Sequence, residues 1–217
     1  MIDSLIQRLC DHAQGQPKRP AVLEVGLMGQ ERVLTWSQLH AASHRFSERV
    51  LSAQDSAAGA VLVSSETGLE MLVSILGCIW AGQPVLPVAA NVPPGELVRL
   101  AGRARVVLAI GDRETCRALR SDVQECWSID GVELDVTSDG PTELPHGSGS
   151  LLLQSSGTTG MPKIVRRCEQ AIARIGRNCS RAVGLDREDI ILVCIPLYHS
   201  YGIDMGVSAV GIKQLSS

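Results

Sequence analysis

The chain has 217 residues, 45% of them hydrophobic and 20% charged, a balance that excludes disordered, collagenous and coiled-coil chains and fits one large domain or two small ones. Its 20 Lys and Arg against 23 Asp and Glu leave a net charge of -3, which offers no attraction to nucleic acid or to an anionic membrane. Three Trp, two Tyr and one Phe are too few for base-stacking platforms.

The opening MIDSLIQRLCDHAQGQPKRP meets an acid at Asp3 and lacks an apolar h-region, so it is not expected to be a signal peptide. Seven cysteines, at 10, 78, 116, 126, 168, 179 and 194, form no C-x-x-C pair and no paired ligand spacing. They are expected as buried or free thiols in a reducing compartment, the cytoplasm. The first helix is predicted over WSQLHAASHRFSERVLSA, where Leu39, Phe46 and Val50 recur near helical spacing and Thr35 with Gln38 forms a capping box.

A strand follows at AVLVSS, residues 60–65. Thr67 and Glu70 form a second capping signal, opening a buried helix that presents Leu69, Leu72, Val73, Leu76, Ile79 and Trp80 and stops at Gly82. Residues 71–95 carry no charge, yet their apolar part ends at Gly82 and prolines follow, too short for the roughly 20 apolar residues of a membrane span. The alternation continues with a strand PVLPV at 84–88, a helix from Pro94 through Leu97 and Leu100, a strand VVLAI at 106–110 and a short helix from Glu114 to Arg120. Strands alternating with helices, several of them continuously apolar, predict an α/β fold with a largely parallel sheet covered by helices on both faces. The turn-rich stretch 128–149 suggests two subdomains, 1–140 and 150–217, joined by a linker at 141–149. Leu192 to Pro196 is expected as a further strand whose uncovered edge favours self-association.

Chemistry concentrates in SLLLQSSGTTGMPKIVRR, residues 150–167. An apolar run, Leu151 to Leu153, leads into Ser155, Ser156, Gly157, Thr158, Thr159 and Gly160, and then to Lys163. Small residues let the backbone close around a ligand, main-chain N–H groups and hydroxyls donate to phosphate oxygens, and Lys163 adds a compact positive charge. Gly157 and Gly160 stand three apart and Ile164 follows the lysine, so this is not a Walker A loop. A plain flexible loop is the alternative for such a composition.

The whole string S-S-G-T-T-G-x-P-K behind an apolar strand resembles the phosphate loop of the adenylate-forming superfamily, which includes acyl-CoA synthetases, aryl-CoA ligases and the adenylation domains of peptide synthetases. Three further segments are similar to that family in order: LTWSQL at 34–39, SSETGLEMLVSILGCIWAGQPVLPV at 64–88, and IPLYHSYGID at 195–204. The resemblance implies that Ser155, Ser156, Gly157, Thr158, Thr159, Gly160 and Lys163 wrap the ATP phosphates, with Lys163 stabilising the leaving pyrophosphate. It makes His199 a catalytic-site residue beside the acyl pocket, with Tyr198, Tyr201 and Gly202 as pocket lining. A packed, hydrogen-bonded histidine near a strand end is the other reading of His199.

The implied reaction is ATP-dependent activation of an acyl or aryl carboxylic acid as an acyl-adenylate, followed by transfer to the thiol of CoA or of carrier-protein phosphopantetheine. ATP and Mg2+ are the expected cofactors, a small carboxylic acid and an acyl carrier protein the expected partners, and no metal ligand is named. Two departures stand out. Ile164 replaces the family's usual Gly, and His199 stands where amino-acid-activating members carry an Asp, which favours acyl or aryl acids because an α-ammonium would be left unpaired. The family's Y-G-x-T-E motif, ribose-binding Asp, hinge and C-terminal lysine domain have no counterpart before Ser217, so the chain is read as an incomplete N-terminal portion. A truncated, non-catalytic nucleotide-binding or interaction module is the alternative.

Overall fold

The computed structural model describes residues 4–26, 28–53, 59–66, 68–136, 148–155, 163–186 and 189–208. Helix α1 (Leu5–Gly15) starts at Ser4, whose hydroxyl accepts from the Gln7 amide, and buries Leu5, Ile6, Leu9 and Cys10. A two-stranded antiparallel ribbon follows, β1 (Pro20–Val25) with β2 (Glu31–Thr35). Helix α2 (Trp36–Ala53) opens on the predicted capping box: the Thr35 amide donates to Gln38 Oε1 at 2.9 Å and the Gln38 amide to Thr35 Oγ1 at 3.3 Å.

Next come β3 (Ala60–Ser64), α3 (Gly68–Trp80), β4 (Pro84–Val88), α4 (Pro94–Ala104), β5 (Val106–Gly111), α5 (Arg113–Leu119) and β6 (Glu125–Ser128). Helix α3 is buried all round and ends where Gly82 takes φ +75°, a left-handed conformation in which a side chain would be strained. Asp112 caps α5 by accepting from the Thr115 amide at 2.7 Å. Thr67 and its capping signal lie outside the described residues, as do 137–147, which include 141–147 of the expected linker.

Strand β7 (Ser150–Ser155) joins the sheet beside β4, and β8 (Lys163–Cys168) turns back antiparallel along it, giving the order β6-β5-β3-β4-β7-β8. All pairings but the last are parallel. Helix α6 (Glu169–Val183) and a π-helical turn (Gly202–Val207) complete the described chain. Alternate strand residues feed two cores, Val61, Val63, Val85 and Leu151 with α1–α3 on one face, Leu62, Leu86 and Leu152 with α4 on the other. Residues beyond the expected linker therefore extend the same sheet, and Leu151, Ile172 and Ile203 share one core with the strands before it.

Residues 192–196 form no strand. Ile190 and Leu192 are 96% and 85% exposed, and among the described residues no strand pairs with this segment, so the ladder that would hold it extended is missing.

Candidate functional site

Strands β3 to β7 run parallel, so their carboxyl ends meet at one end of the sheet, where open α/β sheets bind ligands. The Ser/Thr/Gly segment leaves from the carboxyl end of β7, and β8 receives it. Ser155 and Lys163 face each other in register at the base of this hairpin, and the Ser155 hydroxyl donates to the Lys163 carbonyl at 3.3 Å. Lys163 is exposed. Ser156, Gly157, Thr158, Thr159 and Gly160 lie outside the described residues. Ile164, the departure after the lysine, pairs with Gln154 and packs half-buried against the α4 core, so it anchors the loop exit as a strand residue.

Tyr198, His199, Tyr201 and Gly202 come together on the turn leading into the π-helical segment. Neither packed nor beside a strand, His199 is exposed; its amide donates to Pro196 O, and the Tyr201 amide approaches its Nδ1 at 3.4 Å. Tyr198 leans on the main core, whereas Tyr201 is exposed. Gly202 is required by space: a Cβ there would sit 2.4 Å from Pro196 O and 2.7 Å from Ile195 O.

Hydrogen bonds and ion pairs among the described residues do not join Lys163 or Ser155 directly to His199 or the tyrosines. The tie is Arg167, on the strand that begins at Lys163, whose Nη1 reaches both carboxylate oxygens of Asp204 at 2.8 Å. Asp204 sits in the π-helical turn just past His199, and the pair is 27% and 15% exposed. A second tie is the buried Glu169, which accepts from the Ile6 amide at 3.1 Å and from the Ser4 hydroxyl, fastening α1 to the start of α6. Sequence reasoning singled out neither Asp204 nor Glu169. Partners 37 and 163 residues apart leave no local spacing to recognise.

All seven cysteines are free thiols; Cys10 and Cys78 are buried, Cys168 and Cys194 exposed. Burial, helped by Asp11, pushes the Cys10 thiol up to about 11. Among the described residues no three His, Cys, Asp or Glu side chains gather as a metal set, and no helix is long and apolar enough to cross a membrane. An open groove of about 610 Å3, lined by Arg113, Arg117, Arg120 and Cys126 among others, lies at α5 and β6, on the far edge of the sheet from the hairpin.

The fold defines an open, mostly parallel α/β protein with a Ser/Thr/Gly-rich hairpin at the carboxyl end of an inner strand. Residues 9–212 match the AMP-binding enzyme family, and the chain belongs to it. It is 28% identical over 167 residues to the D-alanine–D-alanyl carrier protein ligase of Bacillus licheniformis, covering 75% of this chain and 32% of that protein. It is 27% identical over 221 residues to the fatty acid–[acyl-carrier-protein] ligase ScoC of Streptomyces coeruleorubidus, covering 93% and 41%. The fold is that of a fatty acid AMP ligase from Legionella pneumophila, with a TM-score of 0.80 at 18% identity over 96% of this chain and 38% of that one. The chain thus spans about a third of the first relative and two fifths of the second.

Proposed function

We propose that the chain is the phosphate-loop part of an enzyme that activates a carboxylic acid with ATP as an acyl-adenylate and passes the acyl group to a phosphopantetheine thiol, on CoA or on a carrier protein. One observation carries this reading: a Ser/Thr/Gly hairpin, based on Ser155 and Lys163, leaves the carboxyl end of a parallel sheet in a member of the AMP-binding family. Ser155 to Gly160 offer N–H and hydroxyl donors to the β- and γ-phosphates, and Lys163 offsets charge that builds on the leaving pyrophosphate. That contribution speeds the reaction only as far as it is larger in the transition state than with bound ATP.

Mg2+ enters on the nucleotide phosphates and supplies further charge neutralisation; no residue of this chain is assigned to it. His199, Tyr198, Tyr201 and Gly202 form a wall of the acid pocket. With a histidine where amino-acid-activating members place a carboxylate, an α-ammonium would lose its partner at a cost of about 1–3 kcal/mol, so the preferred acids lack the amino group.

Calorimetric titration of MgATP into the protein tests the loop. The expected result is saturable binding that Lys163→Ala weakens about tenfold or more, the size of one charge-assisted phosphate contact. Equal affinity in the variant would remove Lys163 from the nucleotide site. Carboxylate-dependent ATP–pyrophosphate exchange, assayed on the protein as its source cell makes it, tests catalysis; ATP binding without exchange supports the binding-module alternative instead.

A further inference from the structure

Helix α5 packs against β6, the outermost strand of the sheet at the edge opposite the hairpin, and each brings one cysteine to their seam. Cys116 and Cys126 are 10 residues apart in sequence, yet each sulfur rests on the backbone of the other's segment. The Cys116 thiol donates to Trp127 O at 3.4 Å, and the Cys126 thiol donates to Cys116 O at 3.7 Å. Both are free, half-buried thiols lining the groove of about 610 Å3, which is open to solvent and so gives a small molecule access to both sulfurs.

Burial is the main reason both thiols lie above the usual range, Cys126 at about 11. The interaction between the two side chains works to lower Cys116 and to raise Cys126, so charge forms first on Cys116. One sulfur is thereby fitted to attack and the other to resolve. Arg113, Arg117 and Arg120 line the same groove; all three are exposed, and none forms an ion pair among the described residues. The acid in the lining, Glu125, accepts from Trp127 Nε1 at 2.8 Å, and the nearby Asp112 caps α5 through the Thr115 amide.

We propose that Cys116 and Cys126 form a dithiol modification site, converted to an intramolecular disulfide by exchange with an anionic low-molecular-weight disulfide. The Cys116 thiolate, its proton given to water, attacks one sulfur of the reagent R–S–S–R; the reagent's bond breaks, and the first R–S⁻ leaves and takes up a proton. Cys126, losing its own proton, then attacks the Cys116 sulfur of the mixed disulfide and expels the second R–S⁻, which is protonated in turn. Two protein thiols are oxidised as one small disulfide is reduced to two thiols, and no other oxidant enters. The second step is intramolecular because the resolving sulfur is already held at the seam, an advantage a solitary thiol lacks. Three guanidiniums around the groove favour a reagent that carries carboxylates.

The test is peptide mass mapping of the folded protein after timed exposure to glutathione disulfide, with the reaction stopped in acid and free thiols alkylated before digestion. A linked Cys116–Cys126 pair is expected as the first protein disulfide to form. Cys126→Ser should halt at a mixed disulfide on Cys116, and Cys116→Ser should yield no linked pair at Cys126. Cystamine, a cationic disulfide, is the comparator: glutathione disulfide is expected to react faster, and R113E/R117E to cut the ratio of the two rates about tenfold. The ratio cancels any change in thiol acidity. Mixed disulfides at both cysteines with no linked pair, or a linked pair that forms only in urea, overturns the site, and the map of the unsubstituted protein decides this without relying on a variant that folds. A rate ratio that R113E/R117E leaves unmoved overturns the choice of an anionic reagent.

Discussion

The pair of Arg167 with Asp204 is the one ion pair that fastens the hairpin strand to the turn carrying His199, among the described residues, and it makes a quantitative prediction. Arg167→Met keeps the length of the side chain and removes its charge, leaving Asp204 at 15% exposure without the Nη1 donor that both its oxygens share. A hydrogen bond to a charged group is worth about 1.5–3 kcal/mol when buried; with the guanidinium 27% exposed, about 1–2 kcal/mol is expected. The assay is urea unfolding of the parent, Arg167→Met, Asp204→Asn and the double variant, with m-values required to agree. The cycle isolates the pair, and a coupling of about 1–2 kcal/mol is expected. Hydrogen exchange adds a local readout. The Ile203 and Ser208 amides, which donate to His199 O and Ile203 O, should exchange about tenfold faster in Arg167→Met, as a loss near 1.4 kcal/mol implies. A coupling below about 0.3 kcal/mol, with exchange at both amides unchanged, would refute the view that this pair holds the turn.

Gly176→Ala sets two effects against each other. Helix propensity alone predicts a gain of up to about 1 kcal/mol, yet the new methyl would sit 2.1 Å from Ser208 O and 2.4 Å from its carbonyl carbon, backbone atoms that cannot swing aside. A net loss of about 1–3 kcal/mol is expected by thermal or urea unfolding, and a stabilised variant would mean that α6 and the turn are not in contact. His40 predicts an acid limb in the stability profile. It is 7% exposed with Nε2 unpartnered, and burial first, then the neighbouring His44, holds its pKa below the usual 6.5. The fold therefore favours neutral His40: its contribution is complete above about pH 6.5 and is lost as pH falls through the depressed value, because the unfolded chain takes up the proton first. His40→Phe should flatten the fall in unfolding midpoint between about pH 7 and pH 5; an unchanged slope would assign the acid sensitivity elsewhere.

What was legible in the sequence divides along the range of the interactions involved. Thr35 and Gln38 lie three residues apart and cap α2 by bonds that involve only each other, so the motif could be read and the structure repeats it. The inner strands are apolar on both faces because helices cover both, and a continuous apolar run is visible without knowing what covers it. Strand β8 escaped because it is an edge: Lys163, Val165, Arg166 and Cys168 are exposed, and only its pairing with β7 makes KIVRRC a strand. Leu192 to Pro196 fails in the opposite sense, since an apolar sequence with no neighbouring strand among the described residues has no ladder to join there. The same division runs through the site. The loop proposed to hold the phosphates is contiguous, so Ser155 to Lys163 can be singled out from sequence as candidates, and Gly202 is explained by a carbonyl only six residues earlier. What positions these groups is long-range. Arg167 reaches Asp204 and Glu169 reaches back to the start of α1, and each is an ordinary charged residue until the fold supplies its partner. A candidate site built on local motifs can therefore be proposed from sequence while its rigidity stays hidden, which is why the Arg167–Asp204 cycle probes the part of this candidate site that no motif reveals.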